Sequence, residues 1–168
     1  MEEKHKNIEI IRLKNNTLYD TFKNLSAGFD ASGDFYEKLK AGYEALKNDL
    51  DITNLFFAGN NKELFSVLDR RFLGTIDDIE QIMDEEVFST NQIENIRQNG
   101  PQLYKIMSEN EIESVLIMKI IIEGRNYGYL MCAEPHTLRI WQENEYAILF
   151  LFARMVGQYM QGSNTPMN

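Results

Sequence analysis

Cys132, His5, His136, Lys119 and a few acidic pairs are the side chains of this chain whose types could do chemistry, and their spacing limits what that chemistry is. A thiol that reduces a substrate works as a thiolate and normally needs a second thiol close by to resolve it. Cys132 is the single cysteine and lies in an apolar stretch, YGYLMCAE, where burial raises a thiol pKa. It permits no intramolecular disulfide and suits a reducing compartment. His5 falls in a tail and His136 in a loop, and neither has a second ligand at metal-site spacing. No glycine-rich phosphate loop, HExxH or GxSxG occurs. Asp77-Asp78, Glu85-Glu86 and Glu143/Glu145 read as helix-surface charge. The expectation is therefore no catalytic centre, no metal site and a non-enzymatic protein. Lys119 stands apart, as a charge inside an apolar strand where burial without a partner is costly. Either its stem snorkels to the sheet edge or it enters a cavity and meets an anionic ligand.

The charge balance points the same way. With 17 Lys and Arg against 26 Asp and Glu in 168 residues, the net charge is −9, which opposes nucleic-acid binding because phosphate contacts need clustered cations. Arg70-Arg71 is the only arginine pair and reads as a solvated loop rather than an anion clamp. No apolar stretch reaches the roughly 18–20 residues a membrane helix needs, and the N-terminus has no signal-peptide core, so a cytoplasmic protein without membrane insertion is expected. A composition with 43% hydrophobic residues supports one α+β domain with a substantial core.

The elements that must position these residues follow from periodicity. Ile112–Ile122 (IESVLIMKIII) is nearly continuously apolar and β-branched, the pattern of a strand buried on both faces. Glu123-Gly124-Arg125-Asn126 supplies turn chemistry, and Tyr127–Glu134 must return antiparallel, because so short a loop allows only a hairpin. From Gln142 to about Gln161, residues Ile148, Leu149, Leu151, Phe152, Met155, Val156 and Tyr159 form a helical apolar face. Upstream, Asp34 with Glu37 starts a helix striped by Phe35, Leu39, Tyr43, Leu46 and Leu50. Ile52–Ala58 and Glu63–Leu68 flank Gly59-Asn60-Asn61-Lys62 as a second hairpin. Between the hairpins, Thr75 caps a short helix, Val87–Thr90 forms a short strand, and Gly100-Pro101 opens a helix carrying Leu103, Tyr104, Ile106 and Met107.

The downstream segment resembles the C-terminal half of a GAF domain, with Ile112, Ser114, Leu116, Gly124, Gly128, Trp141 and Glu145 at the family's pattern positions. Glu111, Lys119 and Gln142 depart from that pattern. The resemblance implies a GAF-like, PAS-related α+β fold over 34–161: a central antiparallel sheet, terminal helices on one face and a helical and loop lid over a pocket on the other. It leaves 1–33 as an N-terminal signalling helix and 162–168 as a polar tail. Ligand candidates under that lid are Phe56, Phe65, Phe88, Tyr104, Met118, Lys119, Tyr129 and Cys132. Strand alternation puts Tyr129 and Met131 on one face and Leu130 and Cys132 on the other without saying which is the pocket.

Residues Ile8, Ile11, Asn15, Leu18, Phe22, Leu25 and Phe29 recur at three- and four-residue steps, the seam of a short coiled coil or the inner stripe of a helix packed on its own domain. In GAF-containing sensors such terminal helices bundle across a dimer, so the resemblance implies a homodimer joined through Ile8, Ile11, Asn15, Leu18, Phe22, Leu25, Phe152, Met155 and Tyr159. The function it implies is a sensory domain that binds a small molecule and regulates an effector such as a diguanylate cyclase, histidine kinase or transcription activator. The alternative is a ligand-free dimerisation or protein-interaction module. A reductase of free methionine sulfoxide, known on this scaffold, lacks its second thiol here, and Met131 and Ala133 do not resemble the cysteine-histidine pair that attaches a bilin. Whether a cyclic nucleotide, an amino acid, a haem or nothing binds is left open, and the cofactor is unknown.

Overall fold

The chain folds as two compact units, residues 1–51 and 52–168. The computed structural model describes residues 19–50, 52–59, 64–66, 75–135 and 139–163.

In the first unit, helix α1 (described over 19–31) and helix α2 (Phe35–Leu50) meet across a short link. The expected capping box forms at the start of α2. The Glu37 N–H donates to Asp34 Oδ1 at 2.8 Å, and Glu37 Oε2 accepts from the Gly33 N–H at 3.1 Å. Lys38 Nζ donates to the Phe29 carbonyl at 2.6 Å, tying α2 to the end of α1. Leu25 and Phe29 are buried in the single chain, as are Leu39 and Leu46 on α2. Leu25 therefore has no surface to offer a second copy, which corrects its place in the expected dimer seam. Phe22 is half-buried. Ile8, Ile11, Asn15 and Leu18 lie outside the described residues.

The second unit is built on a five-stranded antiparallel sheet in the order β2-β1-β5-β4-β3. The strands are β1 (Asn54–Gly59), β2 (Leu64–Ser66), β3 (Val87–Thr90), β4 (Ile112–Ile122) and β5 (Arg125–Pro135). The two long strands pair with Leu116 opposite Cys132 and Met118 opposite Leu130. They are joined by Glu123 (φ 52°) and Gly124 (φ 77°), two consecutive positive-φ residues, the signature of a tight hairpin turn whose twist matches the strands it joins.

Helix α5 (Glu143–Ser163) packs along β4 on one sheet face, with Gly157 against Ile120 and Ile122. On the other face lie α3 (Ile76–Ile82), a one-turn 3-10 helix (Ile93–Ile96) absent from the sequence reading, and α4 (Pro101–Glu109). Thr75 precedes α3 as expected but makes no side-chain cap bond. Asp78 of α3 instead caps α4, its Oδ2 accepting the N–H groups of Gln102 (2.8 Å) and Leu103 (2.9 Å). The broad apolar stripe of α5 splits in two: Ile148, Leu149, Phe152 and Val156 are buried, whereas Leu151 is exposed and Met155 and Tyr159 are half-exposed. Phe152 is thus core and unavailable to a partner, the second correction to the expected interface.

Gly128 is where β5 comes closest to β1. Its φ is +143°, and a Cβ there would stand 2.2 Å from the Ala58 carbonyl oxygen, a backbone atom that cannot yield without moving the strand. Gly128→Ala is expected to cost about 3 kcal/mol or more of stability through strain and overpacking. Urea unfolding would read this as a lower midpoint at unchanged slope.

Candidate functional site

The face of the sheet under α3, the 3-10 helix and α4 is where a lid-covered pocket would form. Phe56 and Ala58 of β1, Val115 and Ile117 of β4, and Tyr129, Met131 and Ala133 of β5 point to this side, as alternation requires. Ile79, Ile82, Ile96, Leu103 and Met107 come down from the lid to meet them in one apolar cluster, with Phe88 and Tyr104 at its margin. Of the expected ligand residues, the structure brings Phe56, Phe88, Tyr104 and Tyr129 together here. Phe65 stands opposite Phe57 in the β1–β2 pairing, and its side chain lies outside the described residues.

Tyr129 gives this cluster a polar element. Its phenol lies beside the Glu80 carboxylate of α3 and the side chain of Asn126, whose Oδ1 accepts the Gly128 N–H at 2.9 Å. Burial first, and the Glu80 carboxylate second, push the phenol above its ordinary range and keep it protonated. Tyr104 Oη, at the lid margin, donates to Glu94 Oε1 at 2.6 Å. Sequence reasoning named Tyr129 but neither Glu80 nor Asn126. Glu80 sits in a helix whose acidic residues all looked like surface charge, and Asn126 in a stretch read only as turn chemistry.

Met118 and Cys132 lie on the opposite face from Tyr129 and Met131, the α5 side, which separates them from the lid-side candidates. Lys119 is half-buried at the β3–β4 end of the sheet, its N–H donating to the Glu86 carbonyl at 2.8 Å. It borders a hollow of about 200 Å³ together with Glu86, Glu123 and Arg154. Two acidic and two basic residues offset one another there, so an anion would meet no net positive field.

The α5 face also holds a buried ionic cluster. Arg139, in the link before α5, pairs through Nη1 with Glu134 Oε1 of β5 at 2.6 Å and through Nη2 with Glu145 Oε2 in the first turn of α5. The other Glu145 oxygen accepts the Gln142 N–H at 2.9 Å, the backward-reaching half of a capping box. The Arg139 guanidinium lies 4.5 Å above the Trp141 ring. Glu145 was legible as a pattern residue, whereas nothing in the spacing of Arg139 announced its role.

No family model matches the chain, and no curated protein matches it. Solved structures do. The GAF domain of A. aeolicus nlh2 in an inactive state aligns with a TM-score of 0.61 at 12% identity, covering 90% of this chain and 99% of the other. The GAF domain of a phosphoenolpyruvate-protein phosphotransferase from Coxiella burnetii aligns at 0.63 and 14% identity, over 88% and 94% of the two chains. A methyl-accepting chemotaxis protein, residues 122 to 287, aligns at 0.60 and 18%, over 83% and 96%. The fold of this chain is that of a GAF domain.

Cys132 is fully buried, and its thiol is pushed well up by burial and then by the Glu134 carboxylate. Alkylation by iodoacetamide at neutral pH is therefore expected only after denaturation. The folded chain also keeps a proton that the unfolded thiol releases above its ordinary value of 9.0. Stability is thus unaffected below about pH 9 and falls as pH rises beyond it, by about 1.4 kcal/mol per unit from this group. Cys132→Ala should lack that increment in denaturation measured between neutral and alkaline pH.

Proposed function

We propose that this chain is a sensory domain of a signal-transduction protein, in which a small molecule is recognised between the lid and the sheet and biases the packing of α5, which passes the change to an effector. The observation that carries this reading is the placement of the Tyr129 phenol, beside Glu80 and Asn126, within the apolar lid cluster. Ligand sites are built this way, from mostly apolar walls with a few placed polar groups. Similarity in fold to a domain of a putative two-component sensor histidine kinase and to a methyl-accepting chemotaxis protein supports the signalling context.

The module is non-catalytic in this reading, since its one thiol is buried and protonated. Among the described residues, no group of three or more His, Cys, Asp or Glu side chains is arranged to hold a metal. No helix among them is long and apolar enough to cross a membrane, in keeping with a cytoplasmic domain. Two copies would join through the outer stripe of α5, where Phe150 and Leu151 are exposed and Met155 and Tyr159 half-exposed. A ligand-free interaction module is the second reading, favoured by how fully Phe56, Met107 and Met131 fill the lid side.

Native against denaturing mass spectrometry of the purified protein separates the two. A discrete extra mass that is lost on denaturation, and lost natively in Tyr129→Phe, is the expected result. Bare protein in both spectra would leave the interaction module standing. In the same native spectra Leu151→Glu should convert a dimer to a monomer, and an unchanged dimer mass would remove α5 from the interface.

A further inference from the structure

β3 is an outer strand of the sheet, paired with β4 on one side, and no strand among the described residues pairs with its other side. The Lys119 N–H donates to the Glu86 carbonyl at 2.8 Å, which makes Glu86 and Lys119 a hydrogen-bonded pair of the antiparallel ladder. Bonded and non-bonded pairs alternate along such a ladder, so Phe88 and Thr90 turn their backbone groups toward β4 while Val87 and Ser89 turn theirs outward. An edge of this kind is a template for another strand unless Lys, Pro or a bulge blunts it. β3 reads VFST and pairs with β4 without a register shift, so none of those devices is present.

The surroundings of this edge fit a second copy of the chain. Val87 is 36% exposed, and Phe150 of α5, which borders the same hollow, is 45% exposed, so apolar surface accompanies the open backbone groups. Glu86 and Glu123 offset Lys119 and Arg154 there, although the chain as a whole carries −9. Two copies therefore repel one another over most of their acidic surface and least at this edge. A two-fold axis at Phe88 also keeps like charges apart. It sets Val87 opposite Ser89 of the second copy, Glu86 opposite Thr90 and Glu85 opposite Asn91, so no carboxylate faces another. Phe88 alone meets itself, at a non-hydrogen-bonded position where side chains come closest. It is half-buried at the margin of the lid-side core, which an aromatic pair on the axis would extend into the second copy.

We propose that β3 pairs antiparallel with β3 of a second copy about a two-fold axis at Phe88, with Val87 and Ser89 exchanging backbone hydrogen bonds and Phe88 packed on its own counterpart. Two sheets become one. The proposal rests on the reading that two copies associate, and it goes beyond the α5 stripe by naming the strand, the register and the residue on the axis.

Cysteine placement and sedimentation equilibrium test this on the full chain, where fully buried Cys132 does not compete. Residues opposed at a non-hydrogen-bonded position stand about 4.5 Å apart at Cα, within disulfide reach, whereas Val87 would lie roughly 8 Å from Val87 of the second copy, too far to bridge. Phe88→Cys should therefore form an intermolecular disulfide with oxidised glutathione, and Val87→Cys should not. Ser89→Pro removes an outward N–H from each copy and leaves the β4 ladder intact, so it should raise the dimer dissociation constant about five- to hundredfold at unchanged circular dichroism. Ser89→Ala, which loses only the hydroxyl bonded to Tyr146, should not. A wild-type mass of one chain at about 100 μM overturns the proposal and the α5 dimer together. A dimer that Leu151→Glu dissociates, with Phe88→Cys uncrosslinked and folded Ser89→Pro unaffected, overturns the strand pairing alone. Should Ser89→Pro not fold, the cysteine variants decide, and equal cross-linking of both, or none, overturns the proposal.

Discussion

The two-residue turn at Glu123-Gly124 sets the register of β4 against β5, and most of the second unit depends on that register. Both strands are buried on both faces, so a slip of one residue would exchange every side chain between the lid side and the α5 side. With Leu116 opposite Cys132 and Ile117 opposite Met131, the odd-numbered residues Tyr129, Met131 and Ala133 meet the lid, and Leu130 and Cys132 face away from it. Gly128 reinforces the same choice, because only a residue without a Cβ lets β5 approach the Ala58 carbonyl so closely. The sheet thereby presents two different surfaces, one continuous with the lid core and one carrying α5.

Charge is used sparingly but consequentially inside this frame. Burying Arg139 between Glu134 and Glu145 is tolerable because each partner is hydrogen-bonded further. Glu134 Oε2 accepts from Thr53 Oγ1 at 2.8 Å, and Glu145 Oε1 caps the start of α5. The cluster makes a polar joint between the end of β5 and the first turn of the helix. On the lid side the corresponding polar element is smaller: the Tyr129 hydroxyl with Glu80 and Asn126.

Much of this was readable from residue order. Period-two and period-3.6 patterns report which side chains an element must bury, and that is a local property, so both hairpins, the lid helix after Pro101, the short strand at Val87 and α5 all stand where the patterns put them. The Asp34–Glu37 capping box and the turn at Gly124 are equally local, since they depend on chemistry within four residues. The order of those elements, with a few pattern residues such as Gly128 and Trp141, was enough to indicate the fold.

What the sequence could not determine depends on which separate segments come together. Which sheet face meets the lid, and hence that Cys132 and Met118 stand apart from Tyr129, is settled only when α3, α4 and α5 choose sides. The division of the α5 stripe into buried Phe152 and exposed Leu151, and the burial of Leu25, follow from packing partners that periodicity does not name. Arg139 looked like an ordinary loop cation until folding brought Glu134 and Glu145 to it from two different elements. By itself the sequence determined the elements and their order, because these arise from local propensity and pattern. Tertiary structure alone decided the sites, because a site is a set of distances between residues that the chain keeps far apart.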